Sequence, residues 1–270
     1  MRPLFHRTMW CLRVSVLFWF AARLEAVSDA SGDGVPQKYF HESPARSHSD
    51  DRFDRGPLSN GELCSRLSCL ITFFLYTMND IGAETWLMHG SLLGWYWNRK
   101  ILPWDLDLDV QITEKSMQHL SRYYNMTVHR FDLPGSGVAR DYLLEINPNW
   151  TNTSFDDVDH KIDARWLDMS SGLYIDITTL RYDDHAEREE GVKAVVICKD
   201  GHRYSTRDIF PLADTTFEGV AAKVPSAFAT VLAQEYGVSA LETAVFAGHR
   251  FDVVRQEWMP LLASERDVRD

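Results

Sequence analysis

Asp105, Asp107 and Asp109 recur at every second position within WLMHGSLLGWYWNRKILPWDLDLDVQI, the segment from Trp86 to Ile112. In an extended strand residues i, i+2 and i+4 share one face, so the spacing predicts three carboxylates on one side and Leu106, Leu108 and Val110 on the other. Anions held that closely raise one another's pKa and destabilise the strand. Hard divalent ions such as Mg²⁺ or Mn²⁺ take oxygen ligands and relieve the conflict. The pattern points to metal-assisted phosphate chemistry, with Asp107 and Asp109 as ligands. Asp105 is a third ligand, an acceptor-side group or a turn cap.

A second carboxylate strand is expected to complete such a centre. GLYIDITTL alternates Tyr174, Asp176 and Thr178 on one face with Leu173, Ile175 and Ile177 on the other, which makes Asp176 the third metal-binding acid. Two ions bridged by these oxygens would stabilise both the attacking and the leaving oxygen of an in-line displacement. Upstream, Gly90 lets the backbone approach a phosphate, while Ser91 offers a hydroxyl and a helix-start N–H where the dipole favours negative charge. His89 borders this turn as a phosphate contact or a hydrogen-bonded structural histidine. Arg99 and Lys100 neutralise diphosphate charge or occupy a solvated loop. Arg165, in DARWLDM, makes either a phosphate contact or a buried ion pair. Trp95, Trp97 and Trp104 read as core and pocket wall rather than base-stacking platforms. His202 lies at a hairpin turn and is a minor candidate for substrate contact.

The elements that must position these groups follow from local signals. Ser59 with Glu62 makes a capping box, and Leu63, Leu67, Leu70, Ile71, Phe74, Leu75 and Met78 recur at helical spacing until Gly82. A short strand over Glu84 to His89, an aromatic helix to about Trp97, the acidic strand after Pro103 and a helix capped by Thr113 come next. Further strands are predicted near Thr127 to Phe131, Tyr142 to Ile146, Ala164 to Met169, Leu173 to Leu180, Ala194 to Lys199 and Arg203 to Ser205. Helical patterns return at Pro225 to Tyr236 and Leu241 to Phe246. The mixture predicts an α+β fold, a mixed β-sheet flanked by helices.

With 270 residues and 45% hydrophobic content the chain can bury a large core. A formal net charge of −11 argues against nucleic acid as a partner. Residues 1–28 read as a signal peptide, or a short signal anchor, because Arg2, Arg7 and Arg13 precede the apolar run VSVLFWFAA. That run is shorter than the roughly 20 residues a spanning helix needs, so any membrane contact would come only through an N-terminal anchor. The body is expected in the secretory-pathway lumen (Golgi or ER) or outside the cell, which three sequons at Asn125, Asn149 and Asn152 support. Residues 29–58 form a polar extended lead-in, 59–250 the folded domain and 251–270 a tail. Cys64 and Cys69 point different ways on one helix and should not pair; Cys198 bonds one of them, or all three are free thiols.

The sequence HGSLLGWYWNRKILPWDLDLDV resembles the signature of the LicD/fukutin group of nucleotidyltransferase-fold proteins, with its histidine-glycine turn and PWD-x-D-x-D segment. GLYIDIT resembles the group's strand bearing the third acid, and DIFPLADTTFEGVAAKVP and VLAQEYG resemble its C-terminal elements. The tryptophans of ETWLMHGSLLGWYWN, the KYFHE lead-in and ICKDGHRYS are most similar to the fungal branch linked to mannosylphosphate addition. The resemblance implies a nucleotidyltransferase-like fold. It also implies transfer of a phosphorylated alcohol or sugar from a nucleotide diphosphate donor to a glycan hydroxyl, with a metal pair at Asp107 and Asp109, Asp176 as third acid and a phosphate-side turn at Gly90 and Ser91. For the fungal branch the implied donor is GDP-mannose. Leu106 departs from the bacterial members, which carry an additional acid there, and the chain is short for the fungal branch. The rivals are a non-catalytic regulator of a separate transferase and a secreted phosphodiesterase.

Overall fold

In the computed structural model, which describes residues 15–17, 38–133, 135–154, 156–183 and 194–262, three short strands precede the first helix. They are β1 (Ser15–Leu17), β2 (Glu42–Ser43) and β3 (Arg46–Asp50). Apart from β1 the expected leader lies outside the described residues, as do residues 29–37 of the lead-in and the last eight residues of the tail. Among the described residues no helix is long and apolar enough to cross a membrane.

Helix α1 (Asn60–Ile81) begins where Ser59 predicts. The Ser59 hydroxyl accepts from the Glu62 N–H at 3.4 Å while Glu62 accepts from the Ser59 N–H at 3.1 Å, so two orphan donors of the first turn are satisfied reciprocally. Gly82 ends the helix in the left-handed region at φ 72°. Leu67, Leu70, Ile71, Phe74, Leu75 and Met78 bury the predicted stripe against the sheet, each contributing about 1.5–3 kcal/mol.

The chain then runs through β4 (Thr85–Leu87), α2 (His89–Asn98), β5 (Asp109–Thr113) and α3 (Glu114–Tyr123), the last capped by Thr113 accepting from the Ser116 N–H. Strands β6 (Thr127–Asp132), β7 (Ala139–Ile146), β8 (Ala164–Asp168) and β9 (Tyr174–Tyr182) form an antiparallel run, and β1 pairs with the outer edge of β6. On β9 this run meets β5, which lies parallel to it, and β4 pairs antiparallel with β5. Strands β10 (Val195–Ile197) and β11 (Arg203–Ser205) extend the end of β9 as a hairpin. The result is one mixed nine-stranded sheet, with α1 and α3 packed on it, which is the α+β arrangement that the sequence predicts.

Four departures matter. The predicted acidic strand begins only at Asp109, with Asp105 and Asp107 in irregular backbone before it. After helix α4 (Thr206–Ile209), β12 (Ala213–Phe217) and β13 (Val220–Val224) make a hairpin that the sequence analysis does not anticipate. Helix α5 (Phe228–Tyr236) agrees with expectation, but the helix predicted at Leu241 to Phe246 is a single turn, α6 (Ser239–Glu242), followed by strand. Residues expected in the tail join β14 (Val245–Phe246), β15 (His249–Asp252) and β16 (Glu257–Pro260) in an antiparallel meander. Phe251 and Trp258 are paired across that meander and pack against Trp97. Cys64, Cys69 and Cys198 are free thiols.

His129 on β6 is buried beneath the Trp166 ring. The Thr127 hydroxyl donates to the Tyr124 carbonyl at 2.7 Å, so it accepts from His129 Nε2 at 2.9 Å, and Nδ1 has no partner. Burial therefore pulls the His129 pKa down to about 4. A folded value below the unfolded value of about 6.5 gives stability that is complete above pH 6.5 and is lost as pH falls toward 4, by about 3 kcal/mol. Urea unfolding at pH 7.5 and pH 4.5 should therefore cost His129→Gln less stability on acidification than the wild type. Equal losses would remove His129 from the acid response.

Candidate active site

After β4 the backbone turns through His89, at φ 50°, into α2. A Cβ at Gly90 would lie 2.6 Å from Asp105 Oδ2, so the glycine reserves room for a carboxylate over the helix start, where the dipole favours an anion. The close approach expected for a phosphate at Gly90 is made by Asp105. Ser91 is likewise engaged: its buried hydroxyl accepts from the Asp109 N–H at 3.0 Å. Asp105 Oδ1 accepts from the Asp107 N–H at 3.2 Å. This local turn competes with a strand ladder, and it is why β5 starts no earlier than Asp109.

The parallel register pairs Asp109 with Asp176 across β5 and β9, strands that run about 4.8 Å apart. Burial first, then the charges of Asp107, Asp176 and Asp105, push the Asp109 pKa well above the usual carboxylate range, with His89 acting against them. Burial, with Asp107 adding to it, raises Asp105 to about 6. Asp107 keeps Oδ1 buried without a hydrogen bond, with His48 Nδ1 3.6 Å away. That contact is the main cause of a raised His48 pKa.

Other buried acids in this fold have dedicated cations. Asp163 meets Lys199 at 2.9 Å and Arg181 at 3.3 Å, Asp168 meets Arg66 at 3.1 Å, and Glu145 takes two bonds from Arg52 at 2.5 and 3.1 Å. Among the described residues no lysine or arginine pairs with Asp107 or Asp109. A buried carboxylate oxygen without a hydrogen bond, faced by only a histidine, beside a second, desolvated carboxylate is a donor set that suits a hard divalent cation.

Asp176 differs, because Arg165 Nε donates to its Oδ1 at 2.7 Å. Arg165 is buried, stacks over Tyr174 at 3.6 Å and reaches toward Glu42 at 3.9 Å. Of the two readings open to Arg165, the structure has the buried ion pair. Burial still leaves the Asp176 pKa above its ordinary value. With Asp176 drawn toward Arg165, the oxygens of Asp107, Asp109 and Asp176 stand further apart than those of the tightest trio among the described residues, His89, Asp200 and His202, whose ligand atoms lie within 4.8 Å of one another.

Arg99 and Lys100 are not brought to this centre. They follow the far end of α2, about 15 Å from its start for ten residues. Arg99 donates to the Trp95 carbonyl and lies over the Trp95 ring, and Lys100 pairs with Glu257 at 2.9 Å. His89 Nδ1 contacts Glu235 at 3.0 Å. Burial opposes its charge, yet Glu235, Asp109 and Asp200 together raise its pKa to about 9. Beside Gly90 and Asp105 opens a cavity of about 530 Å³, walled by Trp97, Trp104, Tyr236 and Trp258. Trp97 and Trp104 are thus pocket wall, while Trp95 is core with its indole N–H donating to Thr215.

Sequence reasoning missed His48, Glu42, Glu235, Tyr236 and Trp258 in this neighbourhood. They arrive from elements distant in sequence and carry no local spacing signal. The Arg165–Asp176 pair yields a stability test. Arg165→Met keeps the apolar stem but leaves Asp176 unpaired, so urea unfolding in the presence of a chelator should show a loss of about 3–5 kcal/mol. Adding Asp176→Asn should recover most of it, and a single variant as stable as the wild type would show that the pair does not hold these strands together.

Two proteins of Saccharomyces cerevisiae are similar to this chain. Mannosyltransferase regulator 14 is 34% identical over 182 residues, 63% of this chain and 19% of that protein. Mannosyltransferase regulator 4 is 35% identical over 156 residues, 54% of this chain and 13% of that protein. The chain therefore spans less than a fifth of the length of either of these relatives. The family described as LicD/FKTN/FKRP, nucleotidyltransferase domain, matches residues 82–227, which hold Gly90, the three alternating aspartates, Arg165 and Asp176. That match covers more than half of the sequence, and the chain belongs to the LicD family.

Proposed function

We propose that this chain is a divalent-metal-dependent phosphotransferase that moves a phosphosugar, mannose 1-phosphate from GDP-mannose, onto a glycan hydroxyl in the secretory-pathway lumen. The observation that carries the reading is the pair Asp107 and Asp109: Asp109 is desolvated, one Asp107 oxygen is buried without a hydrogen bond, and among the described residues neither pairs with lysine or arginine as Asp163, Asp168 and Glu145 do. Charge buried at such cost is characteristic of reaction centres. The family's nucleotidyltransferase domain supports nucleotide chemistry on a nucleotidyltransferase-like fold, and the names of the yeast relatives support a mannose-bearing glycan.

In this mechanism Asp107 and Asp109 would hold Mg²⁺ or Mn²⁺, with Asp176 as the third acid of the site. When bound, the ion neutralises diphosphate charge and polarises the phosphoryl group. Arg165 fixes the Asp176 carboxylate, and Ser91 fixes the start of β5 through the Asp109 N–H. Asp105 shares a wall with the aromatic cavity and is the proposed base. It takes the proton of the acceptor hydroxyl as the new O–P bond forms, the bond to the nucleoside monophosphate breaks, and that monophosphate leaves. Trp97 and Trp104 exclude water from the acceptor side.

A second reading, a regulator of a separate transferase, is favoured by the names of both yeast relatives. Incubating purified protein with Mn²⁺, a mannose oligosaccharide and GDP-mannose, CDP-ribitol or CDP-choline separates the two. The transferase should release GMP in an acceptor-dependent manner, and Asp109→Asn should lower the rate more than about a hundredfold with unchanged circular dichroism. A regulator would release no monophosphate from any donor. Cleavage that proceeds undiminished without acceptor would mark a phosphodiesterase.

A further inference from the structure

His89, Asp200 and His202 come together from the start of α2 and the turn of the β10–β11 hairpin, and none of the three lines the aromatic cavity. His89 Nδ1 sits 3.0 Å from Glu235 Oε2, and Glu235 is held in turn by the Tyr204 hydroxyl at 2.6 Å. A carboxylate on one ring nitrogen fixes the tautomer and turns the other nitrogen outward as a ligand, the outer-shell arrangement typical of metal-bound histidine. That nitrogen, Nε2, faces Asp200 Oδ2 at 3.7 Å, beyond hydrogen-bond range. With Nδ1 held by Glu235, Nε2 is the nitrogen left to take an ion, and it gives up its proton when a metal binds.

Asp200 is itself oriented. Its Oδ1 accepts from the Cys198 thiol at 2.6 Å and from the His202 N–H at 3.1 Å, and lies 3.0 Å from His202 Nδ1. The His89 and His202 ring centroids are 4.8 Å apart. Ligands about 2.0–2.1 Å from a tetrahedral zinc lie roughly 3.4 Å from one another, so a small inward movement of these side chains closes the site.

We propose that His89, Asp200 and His202 form a transition-metal site, with Glu235 as the carboxylate that orients His89 and a fourth position open to solvent beside half-exposed His202. Two imidazoles with one carboxylate favour zinc-like ions, whereas the all-oxygen acids favour Mg²⁺ or Mn²⁺. The two centres therefore select different metals. An ion here ties the β10–β11 turn to the start of α2 and, through Glu235, to the end of α5. The inference does not depend on the transfer reaction and holds for a catalyst or a regulator alike.

Zinc binding to chelator-treated protein at pH 8.0, followed by competition with a chromophoric chelator, tests it, with Co²⁺ absorption as a second readout. One Zn²⁺ should bind at micromolar affinity or tighter, and Co²⁺ should give visible bands of four- or five-coordinate nitrogen and oxygen ligation. His202→Ala and Asp200→Asn should each weaken zinc at least tenfold and bleach those bands, while Asp109→Asn leaves both readouts within twofold. His202 and Asp200 sit on a hairpin turn, and circular dichroism of the variants verifies folding. Millimolar or absent binding, affinity unchanged by the two turn variants, or loss with Asp109→Asn would each overturn the assignment.

Discussion

The parallel pairing of β5 on β9 is the constraint on which the site depends. Asp109 is fixed at the first pair of that ladder: its N–H is held by the Ser91 hydroxyl, its carbonyl accepts from Met88 at 3.3 Å, and its Cα partner is Asp176. A register slip by one residue would send Asp109 into the core and bring Leu108 to the site face. Such a slip would also bury Asp109 against Val110 and Ile112 neighbours that are fully enclosed. The hydrophobic pattern that packs the sheet thus enforces a juxtaposition of acids that electrostatics alone opposes. The opposition is visible in the raised pKa of Asp109 and in the arginine that Asp176 recruits.

Much of this was legible because the signals were local. The Ser59 and Glu62 box, the Gly82 stop and the Thr113 cap each satisfy backbone groups within a few residues, so their chemistry can be read in order along the chain. The IDI alternation of β9 is equally local. The acidic segment was harder, since a period of two describes any extended backbone. It cannot distinguish a ladder strand from a run in which Asp105 folds back on the Asp107 N–H. The two unforeseen hairpins turn at Glu218-Gly219, with φ 49° and 79°, and at Ala247-Gly248, with φ 46° and 73°. These are type I′ geometries, for which Asn-Gly or Asp-Gly is the usual signal. Glu and Ala in the first position disguise them.

The partners that decide each acid's behaviour were illegible for a different reason. Arg165 and Arg99 look alike in sequence, each a base near an aromatic residue, and only the register of β8 on β9 gives Arg165 to Asp176 while a left-handed residue after α2 turns Arg99 back onto Trp95. His48 and Glu235 lie 59 and 146 residues from the groups they meet, Asp107 and His89. Contacts of that separation are set by the whole fold, because side-chain type constrains them only weakly.

The distribution of these groups along the chain divides the site into two parts of different origin. The segment that matches the LicD family contains every acid of the proposed reaction, together with the helix start and the arginine that position them. Trp97 and Trp104 supply part of the cavity wall from within it, and the rest of the surroundings come from outside: His48 and Glu42 beside the acids from the lead-in, and Tyr236 from the end of α5 with Phe246 and Trp258 from the terminal meander along the cavity. The meander is held by aromatic packing of Trp258 and Phe251 on Trp97 and of Phe246 on Trp104, so its docking and the shape of the cavity are one and the same structural feature. Because Asp105 belongs both to the acid group and to that cavity, a change in the meander reaches the acids by displacing the wall beside Asp105. The register of β5 on β9 would stay intact. Selectivity for what enters the cavity is therefore separable in this fold from the arrangement of carboxylates, and the aromatic seam between Trp97, Trp104 and Trp258 is where the two are joined.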